Sequence, residues 1–389
     1  MRRVSDRERR ARLGRRHMLA HPAGTVEEAA DALVGLHASD PVTVYLAARA
    51  RVAGLTRERL QTALYEHRTL VRMLGMRRTL FVVSPDVAAI VDAACTRALG
   101  PPERRRLVRV LEEQSITDDG EAWIERVSGA VLAALHERGE ASAAELTADV
   151  PEMGLKIVFG EGREWGGEFG VSTRILFLLA AEGHIVRGRP RGTWVSSLYR
   201  WAPTDSWLGR ELASVETSVA RAELVRRWLA AFGPGTFTDL KWWTGWTVGA
   251  TRQALEDSHA VEVELDEGRG YLRADDLEPV TEPDPWVALL PSLDPTSMGW
   301  KQRDWYFGEH AASLFDRNGN AGPTVWCDGR VVGGWAQHSG GDVVFELLED
   351  IGAENGEAVA AEAARLAAWF GDDVITPRFR TPVERRLAT

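Results

Sequence analysis

The sequence predicts an α+β protein: three tandem winged-helix (helix-turn-helix) units followed by a C-terminal β-barrel-like domain. One pattern occurs twice, as GEASAAELTADV at Gly139–Val150 and as GPGTFTDLKWWT at Gly233–Thr244. In each copy a helix ends at Gly, a short Ser/Thr-capped helix carries (E/D)-L, and a second amphipathic helix follows a turn. Those second helices are Val171–Gly183 and Val248–Ser258, each followed by a strand, HIVRG and AVEVEL. Helix, turn, helix, strand is the order of a winged helix-turn-helix, and repetition makes it more specific than either copy alone. After Pro283 the texture becomes strand-rich.

The first hundred residues supply a further unit. Val26–Leu36 has apolar residues at helical spacing, Asp40 caps a helix opened by Pro41, and Thr56 caps RERLQTALYEH. LVRMLGM and TLFVV then read as strands. Ser84 to Gln114 reads as linking helices, with Pro101–Pro102 as a break between two of them. Thr117 and Asp118 start the helix that runs through WIERVSGAVLAALHERG, and HIVRGRPRGTWVSS reads as a wing of two strands about a Pro/Gly/Arg turn. In the C-terminal part Asp328–Gly329 is a type I′ hairpin signal, and GEAVAAEAARLAAWFG is a helix. The expected domains are 1–116, 117–208, 209–282 and 283–389.

Composition narrows the function. The net charge of −10 gives no overall attraction to phosphate, but a local basic face is what matters for nucleic acid. Lysine occurs only at Lys156, Lys241 and Lys301, so the basic charge is almost all arginine. No apolar run reaches the roughly 18 residues of a membrane helix. The charged start, MRRVSDRERRARLGRRH, predicts no secretory signal. Two distant cysteines, Cys95 and Cys327, predict neither a disulfide framework nor a metal site. A cytoplasmic location without membrane association is expected. No phosphate loop, dinucleotide fingerprint, HExxH or nucleophile elbow occurs, so no metal and no cofactor is expected. That leaves double-stranded DNA as the expected partner and side chains as the reagents.

Leu33–Tyr45, LVGLHASDPVTVY, is the segment most open to chemistry. His37 and Ser39, two apart in an extended turn, project to one side and can hold one water between them. Asp40 can orient His37 or stabilise positive charge, but its first role is the helix cap. Structural roles compete here too, since Ser39 can cap and His37 can fill a helix end. Arg77 and Arg78, beside the first unit, and the wing residues Arg187, Arg189 and Arg191 are candidate phosphate contacts. The tryptophans, including Trp242, Trp243 and Trp246, read as core rather than base-stacking platforms.

LVGLHASDPVTVYLAARAR resembles the helix junction of the winged-helix DNA glycosylases of the AlkZ/YcaQ type. The resemblance extends in order through MRRTLFVVSPD, GTFTDLKWWTGW, LLPSLDP, DGRVVGGWAQ and ITPRFRTP. It implies three tandem winged helices and a β-barrel around a DNA cleft. It also implies monofunctional hydrolysis of the N-glycosidic bond of bulky N7-alkylated guanine, in several members as self-resistance to a DNA-alkylating product. The family's catalytic motif, Gln–apolar–Gln or Gln–apolar–Asp, falls on His37, Ala38 and Ser39, a departure in both polar positions. By the same resemblance Arg317 and Asn318, in Asp316–Gly322 (DRNGNAG), lie in a DNA-probing hairpin, and Arg378 and Arg380 belong to a C-terminal motif that contacts phosphate or lesion. N7-alkylguanine is already cationic and leaves readily, so the chemistry needs only a positioned water. A neutral imidazole, with an ordinary pKa near about 6.5, can take the proton of that water, and a serine hydroxyl can hold it. The chain is expected to act as a monomer. The competing reading is a non-catalytic winged-helix DNA-binding protein or transcriptional regulator. A regulator usually carries one winged helix per protomer and a dimerisation element, and neither fits.

Overall fold

The computed structural model describes residues 1–160, 166–375, 377 and 380–388. The chain forms two compact units, one discontinuous (Met1–Gln61 with Ala222–Thr389) and one continuous (Thr62–Arg221). No helix among the described residues is long and apolar enough to cross a membrane.

In the discontinuous unit the N-terminal residues form helices Asp6–Arg16, Val26–Ala32, Pro41–Arg49 and Arg57–Gln61. Ser5, Thr25 and Asp40 cap the first three through their side chains, each meeting an N–H that the first turn leaves orphaned. Helix Val26–Ala32 stops short of the expected Leu36. Val34 (φ +61°) and Gly35 (φ +136°) cannot continue a right-handed helix, and Leu36–His37 is extended. Further on, helices Phe237–Thr244 and Val248–Asp257 precede a hairpin of Val261–Leu265 and Gly268–Leu272. The second of these strands also pairs with Gly235–Thr236.

The C-terminal part of this unit is an antiparallel meander, Val287–Leu290, Thr324–Cys327, Arg330–Gln337 and Val343–Leu347, in that spatial order. Asp328 and Gly329 both have positive φ (+48° and +83°), as a type I′ turn requires. Among the described residues this sheet is open, so the barrel-like closure expected from the strand-rich sequence is not present. Helix Ala353–Phe370 packs on its first and last strands instead, burying Val359, Ala363, Leu366 and Phe370. A helix laid across a four-stranded sheet covers the apolar face that ring closure would otherwise bury.

In the continuous unit helices Gly120–Arg138, Ala143–Asp149 and Val171–Ala181 share a core of Ile124, Val131, Leu146, Ile175 and Leu179. Strands Leu80–Val83, Val71–Leu74, Ile185–Pro190 and Tyr199–Pro203 follow one another across an antiparallel sheet. Three details differ from the sequence reading. Pro101 and Pro102 sit inside the first turn of helix Gly100–Glu113, where a missing N–H costs nothing, rather than at a break. The return strand of the wing is Tyr199–Pro203, not TWVSS. An antiparallel strand pair, Lys156–Phe159 with Gly167–Gly170, occupies the expected simple turn.

The repeated (E/D)-L motif proves to be a pair of capping boxes. Ser142 and Glu145 exchange hydrogen bonds in one copy, and Thr236 and Asp239 in the other. Asp239 is fully buried and its second oxygen also accepts from the amides of Lys301 and Gln302, at 2.8 Å each. Most tryptophans are core residues, among them Trp228, Trp243, Trp246 and Trp326.

The most demanding interaction in the discontinuous unit is an ion pair with both side chains fully buried. Arg51 meets Asp294 through two parallel bonds, Nη1–Oδ2 at 2.9 Å and Nη2–Oδ1 at 2.6 Å. Arg51 also donates to Ala47 O and Thr296 Oγ1, both at 2.7 Å. His17 closes the network, with Nδ1 at 2.7 Å from Thr296 Oγ1 and Nε2 at 3.1 Å from Ala231 O. An Nε2–H donated to that carbonyl leaves Nδ1 to accept the hydroxyl proton. Burial, with Arg51 adding to it, holds the His17 pKa well below its ordinary 6.5.

Two outcomes are expected. Arg51→Met strands a buried carboxylate and should cost about 3–5 kcal/mol in urea unfolding, while Arg51→Met with Asp294→Leu should recover most of it. His17 is neutral when folded but takes up a proton near 6.5 when unfolded. Its contribution is therefore complete above that pH and declines below it by up to about 1.4 kcal/mol per pH unit. His17→Gln should flatten the dependence of unfolding free energy on pH between about 6.5 and 5.

Candidate active site and DNA-contacting residues

The Leu36–Pro41 segment is set by what flanks it. Val34 is a buried β-branched residue in a left-handed conformation, which costs of the order of 1–3 kcal/mol and persists only where the surroundings over-determine it. Gly35, at φ +136°, adopts a backbone open only to glycine. On the other side Asp40 caps helix Pro41–Arg49, its Oδ1 accepting from Val42 N at 3.4 Å and its Oδ2 from Thr43 Oγ1 at 3.2 Å. Asp40 thus does the work of a cap.

His37 and Ser39 do not share an environment. His37 is 4% exposed, at the end of the two-residue extended stretch, whereas the chain bends at Ser39 and leaves it exposed. The reason is local: after His37 the backbone leaves the extended conformation to enter the cap, so the alternation of a strand no longer applies.

From this junction a line of contacts runs through the discontinuous unit. Thr43 Oγ1 lies 2.8 Å from Ser292 O, in the segment PSLDP that also holds Asp294. Leu293, left-handed at φ +58°, donates its N–H to Ala321 O at 3.1 Å. Ala321 pairs with Phe315 at the base of a tight hairpin. Asp316 ties the tip, its carboxylate accepting from Asn318 N (2.8 Å), Asn320 N (2.9 Å) and Asn320 Nδ2 (3.1 Å). Arg317 and Asn318 are exposed at that tip.

Gly322, just past the hairpin, leaves no room for a side chain: a Cβ there would lie 2.4 Å from Thr381 Cγ2. Thr381 and Glu384 form a capping box that opens helix Pro382–Leu387, with Glu384 buried and its pKa raised by that burial. Arg380 is half-buried directly before this cap. Arg378 lies outside the described residues. Sequence reading picked out His37, the hairpin and the C-terminal arginine separately. It missed Thr43, Ser292 and Leu293, which connect them and carry no chemical signature.

The remaining candidates belong to the continuous unit. Arg77 and Arg78 are consecutive left-handed residues (φ +52° and +61°) in the turn between Val71–Leu74 and Leu80–Val83. Arg77 is half-buried and Arg78 exposed, the latter paired with Glu103 at 2.8 Å. Arg189 is exposed, 3.4 Å from Glu66. Arg191 is exposed and its N–H donates to Leu198 O at 2.8 Å, within the wing. Arg187 is different: its guanidinium stacks 3.7 Å over the Trp201 ring, and burial pushes its pKa down to about 10.

Among the described residues no group of His, Cys, Asp and Glu side chains is placed to hold a metal ion. What the junction offers is a histidine and a hydroxyl on a rigid frame, suited to moving a proton to or from water. Gly35→Ala and Gly322→Ala test that frame. Each should lower stability by about 1–3 kcal/mol, the first by backbone strain and the second by overpacking, measured as a fall in thermal midpoint.

Comparison with known proteins agrees with this architecture. The DNA glycosylase AlkZ of Streptomyces sahachiroi is structurally similar, with a TM-score of 0.73 at 20% identity over 94% of this chain and 97% of that one. No curated protein sequence matches the chain. The family model of AlkZ-like DNA glycosylases matches residues 30–369, which take in the junction, the PSLDP segment and the hairpin. The chain belongs to the AlkZ-like DNA glycosylase family.

Proposed function

We propose that this protein hydrolyses the N-glycosidic bond of bulky N7-alkylguanine adducts in double-stranded DNA. It does so as a monofunctional glycosylase, acting as a cytoplasmic monomer and protecting its host from a DNA-alkylating natural product. The observation that supports this most is the placement of His37. It ends a short extended stretch, between a strained turn and a capped helix, where the resemblance in sequence puts the family's catalytic motif.

The chemistry follows from the leaving group. Alkylation at N7 makes guanine a cation, so the C1′–N9 bond breaks with its electron pair going to the base and neutralising it. Positive charge develops at C1′ and the ring oxygen. Water adds to C1′ from the opposite side, and the Nε2 or Nδ1 lone pair of neutral His37 takes its proton. Ser39, exposed at the bend, is the hydroxyl that orients the incoming water. The products are free alkylguanine and an abasic site. Because water is the nucleophile, no covalent enzyme–sugar adduct forms and the strand is not cut.

The remaining assignments concern grip. Arg317 and Asn318 at the hairpin tip, with Arg378 and Arg380 after it, contact the lesion-bearing duplex in this reading. Arg77, Arg78, Arg189 and Arg191 contact phosphates, Arg78 and Arg189 by exchanging Glu103 and Glu66 for DNA.

The test is base release. Wild-type protein and His37→Ala are incubated with duplexes carrying N7-methylguanine or a bulky intercalator-linked N7-guanine adduct. Wild type should form abasic sites with the bulky adduct preferred, and His37→Ala should be slower by about 10²–10⁴-fold with binding unchanged. Tight binding without release by the wild-type protein would instead leave a lesion-binding module.

A further inference from the structure

The continuous unit contains a cavity of about 510 Å³ that the glycosylase chemistry does not use. Leu74, Phe177 and Val186 give it apolar walls, and Tyr199, Trp201 and Arg187 line it beside them. Its volume falls in the range of small-molecule sites.

The charges beside it are unusual. Arg72 and Arg187 are directly opposite one another in the pairing of Val71–Leu74 with Ile185–Pro190, so their side chains leave the same face of the sheet. Arg72 is 2% exposed, yet among the described residues no hydrogen-bond acceptor meets any of its three guanidinium nitrogens, nor Nε of Arg187. Both cations gather about one ring: Arg72 Cζ is 4.4 Å and Arg187 Cζ 5.7 Å from the centroid of Tyr199. Cation–π contacts offset only part of the cost of burying an unpaired guanidinium, and a like charge opposite adds to that cost. Such a pair is maintained at the expense of stability, which is the mark of a binding site rather than of a core.

The occupant can be specified from the walls. Arg187 lines the cavity and Arg72, at 2% exposure, stands opposite it across the strand pair, so a small molecule that enters meets one guanidinium directly and the charge of the other beyond it. The apolar basin asks for a ring-bearing body. A planar guanidinium asks for a planar, bidentate anion. Ser172 and Thr173, in the first turn of helix Val171–Ala181, also line the cavity and supply hydroxyl donors.

We propose that this cavity binds an apolar, ring-bearing carboxylate, its body against Leu74, Phe177 and Val186 and its carboxylate on Arg187, with the charge of Arg72 behind. The site is independent of the role given to His37, so the failure of either reading leaves the other standing.

The full-length protein is titrated calorimetrically with 1-naphthoate, with the uncharged 1-naphthalenemethanol, and with inorganic phosphate. Thermal unfolding is followed in parallel. Wild type should bind one naphthoate and gain thermal stability, with the alcohol and phosphate at least tenfold weaker. Arg187→Met should weaken naphthoate about tenfold or more and leave the alcohol unchanged. Arg72→Met should raise the thermal midpoint of the unliganded protein while weakening naphthoate. Thr173→Trp, at an exposed lining position, should block binding with both arginines intact, and decides the matter if an arginine variant fails to fold. No naphthoate binding by wild type, equal affinity for acid and alcohol, phosphate binding as tight as naphthoate, displacement by duplex DNA, or indifference to Arg187→Met would each overturn the proposal.

Discussion

Everything that shapes the junction around His37 leans on the buried pairing of Arg51 with Asp294. Neither charge has access to water, so each is tolerable only while the other is present. The other hydrogen bonds of Arg51 draw in the end of helix Pro41–Arg49 through Ala47 and, directly, Thr296 just past the PSLDP segment; Thr296 in turn holds His17 at the end of helix Asp6–Arg16. The pair fixes helix Pro41–Arg49 at its far end, while Asp40 and Thr43 fix it at the near end. Held at both ends, the helix gives the preceding residues no freedom to relax.

This explains how two unfavourable backbone conformations survive close together in function. Val34 precedes His37 and Leu293 precedes Asp294, and both are left-handed without being glycine. Leu293 adjoins the Asp294 of the ion pair, and Val34 adjoins Gly35, which leads the chain into the extended Leu36–His37. Strain of this kind is a means of setting direction. It turns the chain sharply enough to bury His37 and expose Ser39 within three residues.

Much of this was legible in the sequence, for reasons that differ by element. The capping boxes at Ser142 and Thr236 are local motifs, so their spacing alone revealed both copies of the repeat. The Asp328–Gly329 turn was equally local. The departures came where tertiary context decided. Nothing in the strand pattern shows whether a meander closes on itself or receives a helix across its face, and here helix Ala353–Phe370 takes that place. Pro101 and Pro102 read as a break because proline in a helix interior removes a hydrogen bond, yet the first turn accommodates both. Among the candidate site residues, His37 stood out by its residue type and the Arg317 hairpin through the family resemblance, whereas the Thr43–Ser292 and Leu293–Ala321 links use mostly backbone atoms and leave no mark on side-chain identity. The exposed arginines were found by their place in the wing and beside the first unit. The pairing of Arg72 with Arg187 was not, because strand register between distant segments is set by the fold.

The discontinuity of the first unit has a consequence for how the chain is made. Arg51 leaves the ribosome 243 residues ahead of Asp294. At roughly 5–20 residues per second that is an interval of roughly 12–50 s. During it the whole of Thr62–Arg221 is synthesised and can fold as a unit, while the first 61 residues hold a cation and a histidine whose partners do not yet exist. The frame around His37 is thus completed only after the stretch that holds Asp294 has been made.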